Sequence, residues 1–209
     1  MIAATWVAVL SLISTDTGVV LHAAPAATAT PPAIRLQVIS TVPLPDRVLE
    51  TIVEQAAAVW APYGVTVTAT RQLARSQDWR GEWITLVIRD ATPHEPGRVT
   101  RGTRRQLAGL TFAGGVPGSM MTASWDVARE LVRSAGLSRL ADGDTLAARL
   151  LGRAVAHELG HYLLKTRDHA ARGLMRVAFT VRDVVDDDLT AFSLEPAQLM
   201  ALEADFASH

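Results

Sequence analysis

The apolar positions change period several times along the chain, and each change marks an element. Ile34 to Thr41 alternates apolar and polar residues among β-formers, which predicts a strand with one buried face. Pro43 and Pro45 end it. Asp46 is placed to cap a helix reaching about Trp60, on which Val48, Leu49, Ile52, Val53, Ala56 and Val59 form one apolar stripe. Pro62-Tyr63-Gly64 stops that helix, and Val65–Thr70 and Trp83–Arg89 read as two further strands. Thr92 to Thr103 is polar and rich in Gly, Pro and Arg, a loop. Leu107–Phe112 reads as a short strand, turned by Gly114-Gly115-Val116-Pro117-Gly118 onto a return partner, Ser119–Ser124. A short helix is predicted from Asp126 to about Ser134, and a long one from Thr145 to Leu164 behind Asp142-Gly143-Asp144. Beyond it come a loop, Gly173-Leu174-Met175, an acidic turn at Asp186-Asp187-Asp188, and a last helix from about Glu195 to Phe206. The β-α-β-β order before the long helix predicts an α+β fold. A small twisted mixed sheet packs with the N-terminal helix and the long central helix, and a C-terminal helix follows.

Composition narrows this frame. The 209 residues suit one domain, expected over residues 34–209. A hydrophobic share of 49% against 20% charged is that of a globular chain. The net charge of -1 supplies no field toward nucleic acid. Arg98, Arg101, Arg104 and Arg105 lack interleaved aromatics and read as a solvated loop. A monomer without a nucleic-acid partner is expected. Trp60, Trp79, Trp83 and Trp125 read as packing residues, and His94 is assigned no role.

Residues 1–26 read as an export signal and 27–33 as a linker. Met1 to Ile13 is apolar apart from Thr5 and Ser11, and Ala24-Pro25-Ala26 has the small-x-small pattern of a signal-peptidase site. The first basic residue is Arg35, so the basic flank of such a signal is missing. Asp16 interrupts a run that needs roughly 20 apolar residues to span a bilayer. The expectation is an exported protein, periplasmic or secreted, without stable membrane association after cleavage. It is cytoplasmic if this segment is not a signal.

The chain has no cysteine, which excludes disulfides, thiolate metal sites and cysteine nucleophiles. A metal site must draw on Asp, Glu and the 6 histidines. His157-Glu158-Leu159-Gly160-His161 lies in the long helix. Residues four apart share one helix face, so His157 and His161 present two imidazoles to one point. Glu158 projects beside that point, where a carboxylate can take a proton from a zinc-activated water and pass it to a leaving amine. A hydrolytic zinc wants three protein ligands and an open position. His169, in the loop just after the helix, is the nearest candidate for the third. Asp183 and Asp186–Asp188 lack the glycine and spaced oxygens of a calcium loop and read as a solvated turn.

His157-Glu158-Leu159-Gly160-His161 resembles the active-site helix of zincin metallopeptidases, and the element order before it looks like the upper half of the metzincin clan. That resemblance implies a zinc-dependent peptidase acting on peptide or protein substrates. It implies that Leu107–Phe112 is an edge strand pairing with extended substrate. It implies His169 as third ligand and Met175 as the residue of a methionine turn. The chain departs from the clan in two places: Leu164 stands where a glycine usually ends the helix, and the spacer to His169 is two residues longer. Ala156–Leu164 also resembles the motif helix of ImmA/IrrE-type regulatory peptidases. In that gluzincin pattern a later glutamate is the third ligand, here Glu195 with Glu203 behind it. A zinc-stabilised binding or regulatory domain without turnover is the alternative of another class.

Overall fold

A computed structural model describes residues 32–71, 82–90, 108–111, 119–137, 142–177, 179, 183 and 186–208. The expected export segment, His94, Trp79, the arginine loop and the glycine-rich turn at 114–118 lie outside these residues.

Strands β1 (Ala33–Ser40), β2 (Thr66–Thr70), β3 (Glu82–Arg89), β4 (Ala108–Thr111) and β5 (Ser119–Ser124) form one sheet in the order β2-β1-β3-β5-β4. β1 begins at Ala33, the last residue assigned to the linker. The first four strands in that order run parallel, and β4 closes the edge antiparallel to β5. Parallel neighbours need a crossover, and helix α1 (Asp46–Trp60) supplies it between β1 and β2. The mixed sheet is as expected, though its parallel majority gives it an α/β character.

Alternation puts one face of the sheet in the core. Val38, Leu86 and Met121 lie in one register row and are all buried, as are Leu36 with Ile84 and Ile88 with Ala123. Arg35 and Trp83, register partners on the other face, are half-buried, with the guanidinium 5.7 Å from the ring centroid. Each buried Leu, Ile or Val contributes about 1.5–3 kcal/mol relative to exposure.

α1 starts differently from expectation. Pro45 is its N-cap and Asp46 its first helical residue, with no side-chain capping bond. The Pro45 carbonyl accepts from Val48 and Leu49, while the Asp46 carboxylate pairs with Arg71 just past β2. Helix α2 (Trp125–Ser134) follows β5 directly. Helix α3 (Gly143–Leu163) is capped by Asp142, which accepts from the Asp144 amide at 3.2 Å and the Thr145 hydroxyl at 3.0 Å. These bonds hold the Asp142 carboxyl below its ordinary range, the Thr145 bond most. Helix α4 (Pro196–Ala207) ends the described chain. Among the described residues no helix is long and apolar enough to cross a membrane.

α3 is buried around most of its circumference, packed between α1, α2 and the sheet. Its crossing with α1 is close because of Gly152. A Cβ there would overlap the Ile52 carbonyl oxygen and the Gln55 Cβ. Next to that crossing, the buried Trp60 indole donates to the Ala156 carbonyl at 3.0 Å, fixing the end of α1 one residue before His157. Gly152→Ala is therefore expected to destabilise the fold by about 1–3 kcal/mol through forced separation of the helices. A urea unfolding midpoint measures this, and an unchanged midpoint would show that the contact tolerates a methyl group.

Candidate metal centre

Two of the three candidate imidazoles come from α3. His157 is 9% exposed and His161 8%. Burial of ring nitrogens demands partners, and both Nδ1 atoms have one: His157 reaches the Leu174 carbonyl at 2.7 Å and His161 the Thr166 carbonyl at 3.0 Å. A carbonyl can only accept, so each Nδ1 carries the proton and each Nε2 keeps its lone pair. The half-buried Glu158 follows His157 on the helix, roughly 100° round its axis.

The Thr166 carbonyl is held where it is by the way α3 ends. Leu164 remains helical at φ -85, and Lys165 turns left-handed at φ 50. The Lys165 amide donates to Tyr162 and the Thr166 amide to His161, each at 3.3 Å. These are the two bonds of a Schellman turn. The helix thus leaves one residue after Leu164 and without glycine, and Lys165 pairs its ammonium with Asp205 on α4. A left-handed L-residue costs about 1–2 kcal/mol, which the two turn bonds offset. The longer spacer then carries the chain back to His169.

The Leu174 carbonyl is held by the turn around Met175. Gly173 has φ 73, and a Cβ there would overlap the Ser193 carbonyl oxygen. Leu174 and Met175 are both fully buried. The Leu174 amide donates to Ser193 at 2.9 Å, and the Ala170 amide to Met175 at 2.8 Å. The Met175 sulfur fills the space that a Cβ on Gly160 would need. Gly160, inside the helix motif, is what lets this turn lie against α3.

The exposed His169 completes the group. Its ring centroid lies 5.3 Å from that of His157 and 4.9 Å from that of His161, and those two are 4.8 Å apart. The three side chains offer one ligand atom each, all within 4.8 Å of one another. Nitrogens bound about 2.1 Å from one tetrahedral centre lie roughly 3.4 Å apart, so small ring rotations bring this set to ligand spacing. Glu195 and Glu203 are not in the converging group. Glu195 instead caps α4: its carboxylate accepts from the Gln198 amide, and its own amide donates to the Gln198 side chain at 3.0 Å. Within the acidic turn Asp186 accepts from the Asp188 amide and Asp188 from Thr190, and Asp187 pairs with Arg149 at 2.7 Å.

Side chains that sequence reasoning passed over also shape the centre. Phe179 stands edge-on to His157 at 6.0 Å and stacks on Phe192 at 4.8 Å. Arg153, 2% exposed, lies one turn before His157 on α3. α3 carries two arginines, Arg149 and Arg153, and the sequence alone does not show which of them is buried. The two backbone carbonyls that orient the imidazoles leave no sequence signal.

The sequence matches no known protein-family model, and no curated protein matches it. Among solved structures, the crystal structure of archaemetzincin from Methanopyrus kandleri is similar with a TM-score of 0.43 and 15% sequence identity. The match covers 86% of this chain and 98% of that one.

Burial pushes the His157 imidazole down to about 4, against the opposing bond from the Leu174 carbonyl, and lowers His161 in the same sense. Both rings are neutral near neutral pH and available as ligands. Below its ordinary value of 6.5 the unfolded His157 takes up a proton that the folded one refuses until about 4. Metal-free protein should therefore lose stability as pH falls through that window, by at most ~3 kcal/mol from His157. Urea midpoints recorded across the window test this. His157→Gln should flatten the dependence, and an equally steep one would contradict the assignment.

Proposed function

We propose that the chain is a zinc-dependent metallopeptidase, with His157, His161 and His169 as metal ligands and Glu158 as general base and acid. The observation that carries this reading is the convergence of three imidazoles with donor atoms within 4.8 Å, two of them oriented through Nδ1 by backbone carbonyls. The donor set fits the metal. Neutral imidazole nitrogens suit zinc, and three protein ligands leave one coordination position open, as hydrolytic sites require.

Zinc, when bound, supplies Lewis acidity, polarising a carbonyl and lowering the pKa of a coordinated water to about 7. The chain's own residues do the rest. The Leu174 and Thr166 carbonyls orient both helix imidazoles, so these two rings have little rotamer freedom left to lose as the site fills. Glu158 takes the proton from the attacking water and returns it to the leaving amine. Among the described residues β4 is the edge strand of the sheet and packs against α3, and an extended peptide can add to its outer side. Backbone pairing of that kind favours peptide or protein substrates over small esters.

Glu158→Gln keeps the size of the side chain and removes its basicity. Hydrolysis of a quenched peptide library by the zinc-loaded protein should fall about 10²–10⁴-fold, with zinc content unchanged. Cleavage at the wild-type rate would exclude Glu158 as the base. Stoichiometric zinc without any cleavage in the wild type would favour a structural metal site.

A further inference from the structure

We infer that Arg153 is a positioning residue of the histidine centre, acting through Phe192 and Phe179 on the ring of His157; this rests on the zinc-site reading above. The buried guanidinium lies on the same helix as His157, one turn earlier. It donates to the Asp183 carbonyl, to the Asp186 carbonyl at 2.7 Å and to the Gln55 amide oxygen at 3.2 Å. Asp183 and Asp186 belong to the chain that follows Met175, so one side chain ties that return segment to the motif helix and to α1.

The cation also begins a stack. Arg153 lies 5.0 Å from the Phe192 ring centroid, and Phe192 is parallel to Phe179 within 14°. Arg176 covers Phe179 at 4.4 Å and pairs with the Asp183 carboxylate. Each of the two stacked phenyl rings thus has a cation against it, and both cations are tied to Asp183. The edge of this stack meets His157, at 89° between the Phe179 and His157 rings. His157 is held at Nδ1 by Leu174, and the stack supplies a wall beside its ring. Stability alone does not call for a buried cation here, because apolar residues of similar volume often pack as well or better. What the guanidinium adds is direction: three fixed bonds and a planar face that set where the stack lies.

The test uses the full chain with zinc as the probe. Arg153→Met and Phe179→Leu are compared with wild type for zinc affinity by competitive chelation, for the visible absorption of the cobalt-substituted protein, and for metal-free thermal stability. Both variants should bind zinc about 10–100-fold more weakly, the range for loss of an outer partner, with an altered cobalt spectrum. Phe179→Leu keeps the test open if Arg153→Met fails to fold. A merely structural role would change thermal stability and leave the affinity and spectrum of the folded protein untouched, and that result would overturn the proposal. A wild type that binds no zinc would remove the zinc reading and this proposal together; wild type and variants binding zinc equally would remove this proposal alone.

Discussion

The hydrogen bond from His157 Nδ1 to the Leu174 carbonyl, 2.7 Å long, is the interaction on which the rest of the centre depends. It joins the motif helix to a turn seventeen residues later, and every neighbouring feature can be traced to it. The carbonyl faces the ring because Gly173 takes a left-handed conformation closed to most residues. The turn lies close to α3 because Gly160 leaves room for the Met175 sulfur. α3 is itself fixed against α1 by the Gly152 crossing and the Trp60 bond to Ala156. Contacts without side-chain charge therefore fix where the imidazole lies.

His161 is oriented by a different device with the same result. Its ring and its own carbonyl are both bonded to Thr166, so the helix end and the ligand orientation are one structure. The cost is a left-handed lysine and two imidazoles removed from water. Burial drives those rings to the neutral form, which is the form that binds a metal. An energetic penalty in the empty protein thus doubles as preparation for the ligand.

Local signals were legible wherever one residue type leaves few options. β1, β3 and β5 bury alternate residues, and their bounds lie within a residue or two of expectation. Asp142 and the pair Glu195-Pro196 marked helix starts, although a carboxylate at Glu195 could be read as either cap or ligand until its bonds to Gln198 were seen. The start of α1 misled because Pro45 and Asp46 both suit a helix start, and proline took the cap position. The exit from α3 was opaque for a deeper reason. Sequence marks left-handed helix ends by glycine, and here a lysine tied to Asp205 takes that conformation. The Arg153–Phe192–Phe179 stack depends on residues dozens of positions apart, and no local pattern reports such a contact.

The centre depends most directly on whether His169, exposed and delivered by a lengthened loop, closes the ligand set with His157 and His161. Equilibrium dialysis against zinc, with the wild type and His169→Ala compared, tests this. The wild type should hold about one zinc per chain, and His169→Ala should lose affinity by more than the ~10–100-fold that an outer partner is worth. Stoichiometric zinc held as tightly by His169→Ala as by the wild type would contradict it.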